Sequence, residues 1–418
     1  MKMDIAVTDI AATDIAIVGG GLVGASLALA LRPLAERQSL KITVLESHPP
    51  SHPASELGWQ PSFDGRSSAL SWGTRLIYEN LGLWQELQPH AYPLTRIHVS
   101  DRGFLGSTRL SHQEQGVEAL GYVVPNAWLG QQLWQALARS PVEVLAPATV
   151  DQVRFPNPEQ VEIRGQLNAR PLTLKAGLLV VADGGRSGLK QQLGIADQVH
   201  DYQQTALVAN VRLSRPHQGQ AYERFVGQGA LALLPLQGQE MALVWTRPGD
   251  EAKTLAALPQ AEFLARLQAD FGKRAGRFQQ VGERFAYPLK KIRSREQVRR
   301  NLVLLGNAAH YLHPVAGQGY NLAIRGVVSL AANLQMAADR AKQQGEVFHP
   351  GRLEPLQAWQ EQRLPDQDAV IGFSHNLINL FARESNWLGH GRAAGLIGLN
   401  LLGPARRWLA RKAMGLEV

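Results

Sequence analysis

D-I-A-I-V-G-G-G-L-V-G, residues 14–24, is an apolar run that passes directly into three spaced glycines. A buried strand that turns sharply into a helix needs positions without side chains. Gly19 permits the tight turn, Gly21 lets the backbone approach a pyrophosphate, and Gly24 lets the helix pack on the strand. Because the N-terminus of a helix is positive, phosphates bind there. The run therefore predicts a dinucleotide site near the start of the chain.

A second apolar run, residues 42–45, ends at Glu46, which lies 22 residues beyond Gly24. A carboxylate at the end of the second strand accepts hydrogen bonds from the ribose hydroxyls of an adenosine and disfavours a 2'-phosphate. Strand, glycines, helix and acid follow one another in the order that a dinucleotide fold requires. We therefore prefer this interpretation to a glycine turn with a purely structural role.

The composition limits the classes of protein to which the chain can belong. The chain has 418 residues, of which 45% are hydrophobic, so two interleaved domains are expected. Without a single cysteine, disulfides, thiolate metal sites and thiol catalysis are excluded, and no metal site is predicted. The net charge is +8, but the basic residues are scattered, so no nucleic-acid partner is expected. No apolar stretch reaches membrane-spanning length and the polar N-terminus lacks a secretory signal, which predicts a cytoplasmic protein.

The C-terminal stretch 387–414 mixes basic and apolar residues in an amphipathic pattern. Such a pattern is typical of a helix that lies at a bilayer interface, here a peripheral contact with the inner membrane. Helices that cap a hydrophobic core have the same pattern, and the sequence leaves both alternatives open.

Other segments predict the order of the elements. Residues 67–87 and 128–138 have helical spacing, and residues 96–110 read as a pair of strands. Residues 205–246 contain short strands with few helical signals, which indicates an antiparallel sheet, and the chain after Tyr320 is mostly helical. The fold class is therefore α/β: a Rossmann-like domain interleaved with an antiparallel sheet, followed by a helical C-terminus.

Glycines recur at a strand end in a late block, residues 305–321. Gly317 and Gly319 permit close backbone approach, and the helix that begins there would aim its N–H groups at an electron-rich edge such as that of an isoalloxazine. A third block, residues 183–187 (D-G-G-R-S), is weaker, since its Asp-Gly turn needs no ligand.

Together, these three blocks resemble the FAD-dependent aromatic hydroxylases of the para-hydroxybenzoate hydroxylase type over nearly the whole chain. The ubiquinone-biosynthesis branch is the most similar, on four stretches: residues 63–70 (F-D-G-R-S-S-A-L), 98–103 (H-V-S-D-R-G), 222–225 (Y-E-R-F) and 306–321. The resemblance implies bound FAD. It also implies NAD(P)H that binds transiently, because the sequence shows no second dinucleotide motif.

The activity that the resemblance implies is hydroxylation of a polyprenylated phenol with O2 through a flavin C4a-hydroperoxide, with 2-polyprenyl-6-methoxyphenol as the favoured substrate. Two alternatives stay open. One is a hydroxylase of another ring position or of a small soluble phenol. The other is a non-catalytic flavoprotein that serves as an assembly partner in a quinone-biosynthesis complex.

The same resemblance implies roles for individual residues. Gly19, Gly21 and Gly24 would contact the pyrophosphate, and Glu46 the adenosine ribose. The remaining cofactor contacts would come from Arg66, Asp183, Gly306, Asn307, Gly317, Gln318, Gly319 and Asn321. Two departures bear on FAD affinity: Asn307 and Gly326 stand where the family usually has aspartate.

No catalytic base is assigned from the sequence. The polar candidates for the pocket are His98, Tyr222, Arg224, His310, His313 and Tyr320, with Pro314 beside the flavin. The histidines of the late block could equally serve the structure alone. An apolar channel for a prenyl chain is expected along Leu231, Leu233, Leu234 and Val244.

The expected division of the chain follows from these assignments. We predict FAD-binding segments at 1–94, 120–198 and 286–350, substrate-domain segments at 95–119 and 199–285, and a C-terminal helical segment at 351–418.

Overall fold

The structure is a computed structural model that describes residues 8–9, 12–48, 66–227, 229–312, 317–382 and 386–416. These residues form three β-sheets and a set of mostly peripheral helices. The strands are β1 (Thr8–Asp9), β2 (Thr13–Val18), β3 (Ile42–Leu45), β4 (Ser67–Ser71), β5 (Tyr92–Leu94), β6 (Arg96–Asp101), β7 (Ser107–Ser111), β8 (Gly121–Pro125), β9 (Glu143–Leu145), β10 (Ala148–Asn157), β11 (Gln160–Leu167), β12 (Arg170–Val181), β13 (Asp197–Leu213), β14 (Gln220–Val226), β15 (Gly229–Pro235), β16 (Glu240–Pro248), β17 (Phe278–Val281), β18 (Phe285–Ser294), β19 (Val298–Arg299), β20 (Leu302–Leu304) and β21 (His310–Tyr311).

The helices carry most of the C-terminal third of the chain. They are α1 (Leu22–Ala30), α2 (Arg32–Gln38), α3 (Trp72–Asn80), α4 (Trp84–Leu87), α5 (Asn126–Ala138), α6 (Leu189–Gln192), α7 (Gly249–Ala257), α8 (Gln260–Phe271), α9 (Gln318–Gln344), α10 (Leu353–Ala382), α11 (Asn386–Leu401) and α12 (Gly403–Ala413). None of the helices in the described ranges is both long and apolar enough to cross a membrane.

The first sheet is built around the long strand β12. Along the carboxyl half of β12, strands β2 and β20 pair with it in parallel, one at each edge. Beyond β2, strands β3 and β9 continue the parallel order. Along its amino half, β12 pairs antiparallel with β11, which pairs with β10. The parallel order β20-β12-β2-β3-β9 confirms the predicted Rossmann-like arrangement, and the loops that follow β2, β3, β12 and β20 meet at one edge.

Both faces of this sheet are covered. Along β2, Ile15 and Ile17 belong to one hydrophobic cluster, while Ala16 and Val18 belong to the cluster on the opposite face. A strand that is buried on both faces has a continuous apolar sequence rather than an alternating one. This burial explains why residues 15–18 are all apolar.

The second sheet has the order β21-β18-β13-β16-β15-β14-β6-β7, with β17 paired to β13. Its pairs are antiparallel except β14 with β6, which is parallel. The strands predicted within residues 205–246 and 96–110 are confirmed as parts of this sheet. Because β18 and β21 also belong to it, the sheet extends past residue 285, while the predicted segment boundaries themselves stay a prediction.

The segment predicted as helix at 67–87 is partly wrong. Its first five residues form β4, which pairs antiparallel with β8 in a small sheet that also contains β5. Helix α3 begins only after Ser71, whose side-chain oxygen accepts a hydrogen bond from the backbone N–H of Thr74 and so caps the helix. Residues 67–71 therefore form a strand, because their hydrogen bonds to β8 stabilise it more than the helical spacing of their apolar side chains would stabilise a helix. The helix predicted at 128–138 is confirmed as α5.

Candidate active site

The glycine turn after β2 packs against the loop after β12. Gly19 has a φ of +101°, and a Cβ there would lie 2.6 Å from the carbonyl oxygen of Ala182. A Cβ on Gly24 would lie 1.9 Å from the carbonyl oxygen of Gly19. At Gly21, by contrast, a Cβ would meet no described atom within 4 Å, since this glycine lines a cavity. Gly21 is also the N-cap of α1, and no side chain caps this helix. The cradle therefore fits a pyrophosphate held by backbone N–H groups.

Glu46 lies at the end of β3, beside this turn, and is nearly buried. One carboxylate oxygen accepts a hydrogen bond of 2.5 Å from the backbone N–H of Gly20, and the other accepts one of 2.9 Å from that of His48. Trp134 holds the turn from the other side, because its indole N–H donates to the carbonyl oxygen of Gly20. Glu46 therefore lines the cavity in a fixed orientation, as contact with a ribose requires.

Asp183, at the end of β12, also lines the cavity. Its carboxylate accepts hydrogen bonds from the backbone N–H groups of Gly185, at 2.8 Å, and Ser187, at 3.0 Å, and from the Ser187 hydroxyl. These bonds shape the turn themselves, so the structure gives Asp183 a local role. Its predicted contact with the cofactor stays a prediction.

The late glycine block folds back onto the first one. Gly306 has a φ of +61°, and a Cβ there would lie 3.1 Å from the methyl carbons of Val23 in α1. The carbonyl oxygen of the next residue, Asn307, would lie 3.4 Å from a Cβ on Gly185. Asn307 is exposed and lines the cavity. All three sequence blocks are therefore neighbours around one space.

The N-terminus of α9 faces the same space. Gly317, with a φ of +60°, is its N-cap, and neither a capping side chain nor an acidic residue occupies its first turn. Gln318 and Gly319 line the cavity, and the Gln318 amide donates to the carbonyl oxygen of Ala413. Asn321 lines it too, but both of its N–H donors are used by the carbonyl oxygens of Ala69 and Gly317. The free N–H groups of this helix fit the electron-rich edge of a flavin ring.

Arg66 lies between the two ends of this space, with its guanidinium 5.0 Å from the ring centroid of Tyr287. It lines the cavity, as the predicted contact with FAD requires. The candidates His313 and Pro314, and the stretch 63–65 of the family motif, lie outside the described residues.

One cavity of about 1280 Å³ joins these groups. From the glycine turn and Glu46 it runs past Arg66 and Gly319 to the face of the antiparallel sheet and to α10, α11 and α12. Ordinary ligand pockets measure roughly 300–1,000 Å³. The space is therefore large enough for a dinucleotide together with a second, apolar ligand.

Of the three polar candidates from the second sheet, His98 and Arg224 turn away from this cavity. His98 is buried on the opposite face of β6, and its Nε2 accepts a hydrogen bond from Arg274. Arg224 donates to the Ser100 hydroxyl and to the carbonyl oxygen of Asp270. The ring of Tyr222 packs edge-on against Phe271, although the residue borders the cavity. The expectation that these side chains face the substrate is therefore wrong for His98 and Arg224, because side chains alternate along a strand.

Two candidates of the late block are also held by the protein. His310 is buried, does not line the cavity, and burial lowers its pKa to about 4. Tyr320 lines the cavity, but its hydroxyl is hydrogen-bonded to the Tyr78 hydroxyl, which also bonds Ser26. Burial raises the pKa of Tyr78 to about 12, so neither tyrosine serves as a base near neutral pH.

Glu223 was not predicted from the sequence as a site residue. It lies between Tyr222 and Arg224 in the chain. The same alternation that turns Arg224 away directs Glu223 into the cavity. Burial raises the pKa of its carboxyl group to about 7.

The residues predicted to line an apolar channel divide between the two faces of the sheet. Leu234 and Val244 line the cavity, whereas the buried Leu231 and Leu233 face the opposite hydrophobic cluster. Alternation along β15 could have separated Leu234 from Leu231 and Leu233, but placing Glu223 on the cavity face also requires the register between β14 and β15.

Gly326, which stands where the family usually has aspartate, packs closely against its neighbours. A Cβ there would lie 3.4 Å from Leu305, and its carbonyl oxygen accepts a hydrogen bond from the Trp359 indole. The neighbouring Arg325 instead pairs with Asp366 of α10 at 2.9 Å.

Comparison with known proteins agrees with this geometry. A family model described as an FAD-binding domain matches residues 12–346. The class that the fold and the site define is that of FAD-dependent aromatic monooxygenases, and FAD is the bound cofactor. The chain belongs to this FAD-binding family.

Among its relatives is a ubiquinone hydroxylase, UbiL, of Rhodospirillum rubrum, with 34% identity over 356 residues that cover 84% of this chain and 80% of the relative. The 3-demethoxyubiquinol 3-hydroxylase of Escherichia coli is 29% identical, covering 84% and 88%. The structure of p-nitrophenol 4-monooxygenase PnpA from Pseudomonas putida covers 97% of this chain and 99% of its own at a TM-score of 0.74. At 16% identity, this last likeness shows the shared fold.

The arrangement divides the chemistry between cofactor and protein. Bound FAD would supply the redox chemistry, with NAD(P)H as the transient reductant and O2 as the oxidant. The residues around Gly21 and Glu46 would hold the nucleotide end, and the N-terminus of α9 would favour negative charge at the ring. The apolar sheet face and the C-terminal helices would exclude water from the space beside the ring, which would protect reactive oxygen chemistry.

Proposed function

We propose that this enzyme hydroxylates a polyprenylated phenol in ubiquinone biosynthesis, with 2-polyprenyl-6-methoxyphenol as the substrate. The observation that carries the proposal is the continuation of the cavity beyond the cofactor residues into an apolar chamber. Leu94, Ile97, Leu110 and Leu234 line its sheet side, and Leu396, Leu399 and Leu409 line its helical side. A prenyl chain gains free energy from such a wall by burying apolar surface, about 25 cal/mol per Å².

The names of the relatives support a role in ubiquinone biosynthesis, but they do not identify the ring carbon that is hydroxylated. The relative in E. coli is named for hydroxylation at position 3 of a demethoxyubiquinol, which favours attack on another carbon of the same ring as the second candidate. A small soluble phenol would leave most of the apolar chamber unfilled. A non-catalytic role in a quinone-biosynthesis complex is the remaining alternative, and a purified protein that binds FAD and is bleached by NAD(P)H would argue against it.

Deletion of the protein from its host tests the proposal. Accumulation of 2-polyprenyl-6-methoxyphenol, identified by mass spectrometry of the lipid extract, is the expected result. Accumulation of a demethoxylated quinol would instead support the second ring position. Unchanged quinone levels would contradict both.

We also propose that α11 and α12 contact an anionic membrane surface from which the substrate enters. Leu401, Leu402 and Trp408 are 77%, 61% and 54% exposed, beside the exposed Arg407 and Arg411. The inner faces of the same helices line the cavity. An apolar patch with a basic border fits the interface of an anionic bilayer, and a polyprenylated phenol dissolves in that bilayer.

Sedimentation with vesicles that contain phosphatidylglycerol tests this contact. The double variant Leu401→Ser/Leu402→Ser should lose most vesicle binding, whereas Val347→Ser, at a position that is 72% exposed elsewhere, should keep it. Equal binding of both variants would overturn the proposed surface.

A further inference from the structure

A row of side chains crosses the antiparallel sheet on its cavity side. Strand register places Val99 of β6 opposite Thr108 of β7, and Glu223 of β14 between Val99 and Ala232 of β15. Val244 of β16 and Val208 of β13 continue the row. All six residues line the cavity. One carboxylate therefore stands in the middle of an otherwise uncharged wall.

The carboxylate of Glu223 is available to a ligand. Among the described residues, none makes an ion pair or a hydrogen bond with its side chain. Thr108, which stands beyond Val99 in the row, is occupied, because its hydroxyl donates to the carbonyl oxygen of Leu396 at 2.9 Å. Glu223 is half-buried, and a carboxylate that is withdrawn from bulk water without a partner is costly. Such a group is retained where a ligand supplies the missing donor.

Charged and titratable groups on the packed elements do not compensate this carboxylate. Arg392 of α11 is held by Asp101 at 2.9 Å, with both side chains only 6% exposed. The ammonium group of Lys412 in α12 lies 5.2 Å from the ring centroid of Trp408. The other titratable residues that line the sheet end of the cavity are Arg66, Tyr222, Tyr287, Tyr311 and Tyr320. Helix α10 presents apolar side chains there, including Phe373 and Leu377.

We propose that Glu223 binds the phenolic hydroxyl of the substrate and accepts its proton during hydroxylation, an inference that rests on the proposed function. The phenolic O–H bond breaks, an O–H bond forms on the carboxylate, and the electron pair stays on the phenol oxygen. The added electron density passes into the ring and favours attack by its ortho and para carbons on an electrophilic oxygen. The flanking valines and Ala232 hold the ring in an apolar slot.

Burial supports this role, since it raises the pKa of the Glu223 carboxyl group to about 7. A base is most effective when its pKa lies near the working pH. The rate with a phenol should therefore rise with pH through about 7, as the carboxylate forms. A hydrogen-bonded glutamine at the same position could orient the hydroxyl but could not take the proton.

The test compares FAD-loaded wild type with Glu223→Gln, Glu223→Asp and the control Glu283→Gln, an exposed acid of the same domain. The probe is 2-methoxyphenol with a single prenyl group at position 6. We expect Glu223→Gln to lower product formed per NAD(P)H consumed and to lower kcat about 100-fold. It should also abolish the inflection near pH 7, while FAD content and probe Kd stay within threefold.

Glu223→Asp keeps a carboxylate and should restore the pH inflection with a reduced rate. A Glu223→Gln enzyme that keeps the wild-type rate and pH profile would overturn the assignment while leaving the substrate class intact. Loss of FAD or of folding in Glu223→Gln, with restoration of neither rate nor inflection in Glu223→Asp, would also overturn it. A wild-type enzyme that hydroxylates neither this probe nor longer prenyl phenols would overturn the proposed function as well.

Discussion

A Cβ on Gly24 would lie 1.9 Å from the carbonyl oxygen of Gly19, whereas a Cβ on Gly21, between them, would meet only open cavity. Two glycines of one motif therefore have different surroundings: Gly24 packs against the strand end, and Gly21 borders the cavity that we expect to hold the pyrophosphate. Gly24→Ala should destabilise the apoprotein by about 1–3 kcal/mol, because the helix must move off the strand. Gly21→Ala should leave apoprotein stability unchanged and weaken FAD binding ~10- to 100-fold by blocking backbone hydrogen bonds to the pyrophosphate.

Thermal unfolding of the apoproteins and flavin fluorescence titration separate these two effects. An unstable Gly21→Ala apoprotein, or a Gly24→Ala protein of normal stability, would contradict the packing that we describe.

The His98 side chain should not control the pH dependence of hydroxylation. Burial, with the nearby Arg274, lowers its pKa to about 4, so His98 is neutral throughout the working range. We expect His98→Leu to keep the wild-type inflection near pH 7 while losing about 1–2 kcal/mol of stability, because Arg274 loses its acceptor.

The effect of His98 on stability has a defined sign. Since the folded-state pKa is depressed, protonation favours the unfolded chain, and wild-type stability should fall as the pH drops from about 6.5 towards 4. Chemical unfolding between pH 4 and 7 should show a smaller loss for His98→Leu than for wild type. An identical loss would place the titrating group elsewhere.

The half-buried, unpaired carboxyl group of Glu223 should destabilise the protein at neutral pH. Its pKa is raised to about 7, so the folded state prefers the neutral acid. The destabilisation is absent below the unfolded-state pKa, near 4.5, because the carboxyl group is then neutral in both states. It grows as the pH rises above that value and is complete above about 7. Between these limits Glu223→Gln should become more stable than wild type, by at most about 3 kcal/mol.

Melting temperatures at pH 5 and pH 8, without phenol, measure this difference, with Glu283→Gln as the matched exposed control. A pH-independent difference between Glu223→Gln and wild type would show that the carboxyl group is solvated or paired.

The contact between α9 and α10 depends on the Asp366 carboxylate. It lies 2.9 Å from the Arg325 Nε, also binds Arg363, and is only 6% exposed. Burial alone would raise its pKa, but the hydrogen bond and charge of Arg325, aided by Arg363, lower it below the ordinary value. Asp366→Asn should therefore lose about 3–5 kcal/mol at pH 7, because two buried guanidinium groups lose their counter-charge.

Because the pKa of Asp366 is depressed in the folded state, its contribution is present above the unfolded pKa and is lost as the pH falls through the folded one. The gap between wild type and Asp366→Asn should thus narrow below about pH 4. Urea unfolding at pH 7 and pH 3.5 checks this, and a constant gap would contradict the pairing.

The sequence predicted the parts of the fold and site that depend on interactions between residues close together in the chain. Gly19, Gly21, Gly24 and Glu46 could be predicted because their roles follow from one strand, one turn and one helix. The close approach of Gly306 to Val23 depends on chain segments far apart in sequence, and it was not predicted.

The errors have a common physical origin in strand pairing. Residues 67–71 have helical spacing but pair with β8, and this tertiary contact decided their conformation. Within Y-E-R-F, the choice of Tyr222 and Arg224 over Glu223 reversed the faces of one strand, because register had no local signal there. The carboxylate partner of Arg325 could not be predicted either, since Asp366 reaches it from a neighbouring helix.

We propose that this cavity brings FAD and a polyprenylated phenol together for monooxygenation. An isotope experiment tests this proposal: the FAD-loaded enzyme receives NAD(P)H, ¹⁸O₂ and 2-polyprenyl-6-methoxyphenol, and the product is measured by mass spectrometry. We expect a ring-hydroxylated product that carries one ¹⁸O atom, with one NAD(P)H consumed per product. NAD(P)H consumption that yields hydrogen peroxide and unchanged phenol would contradict the proposal.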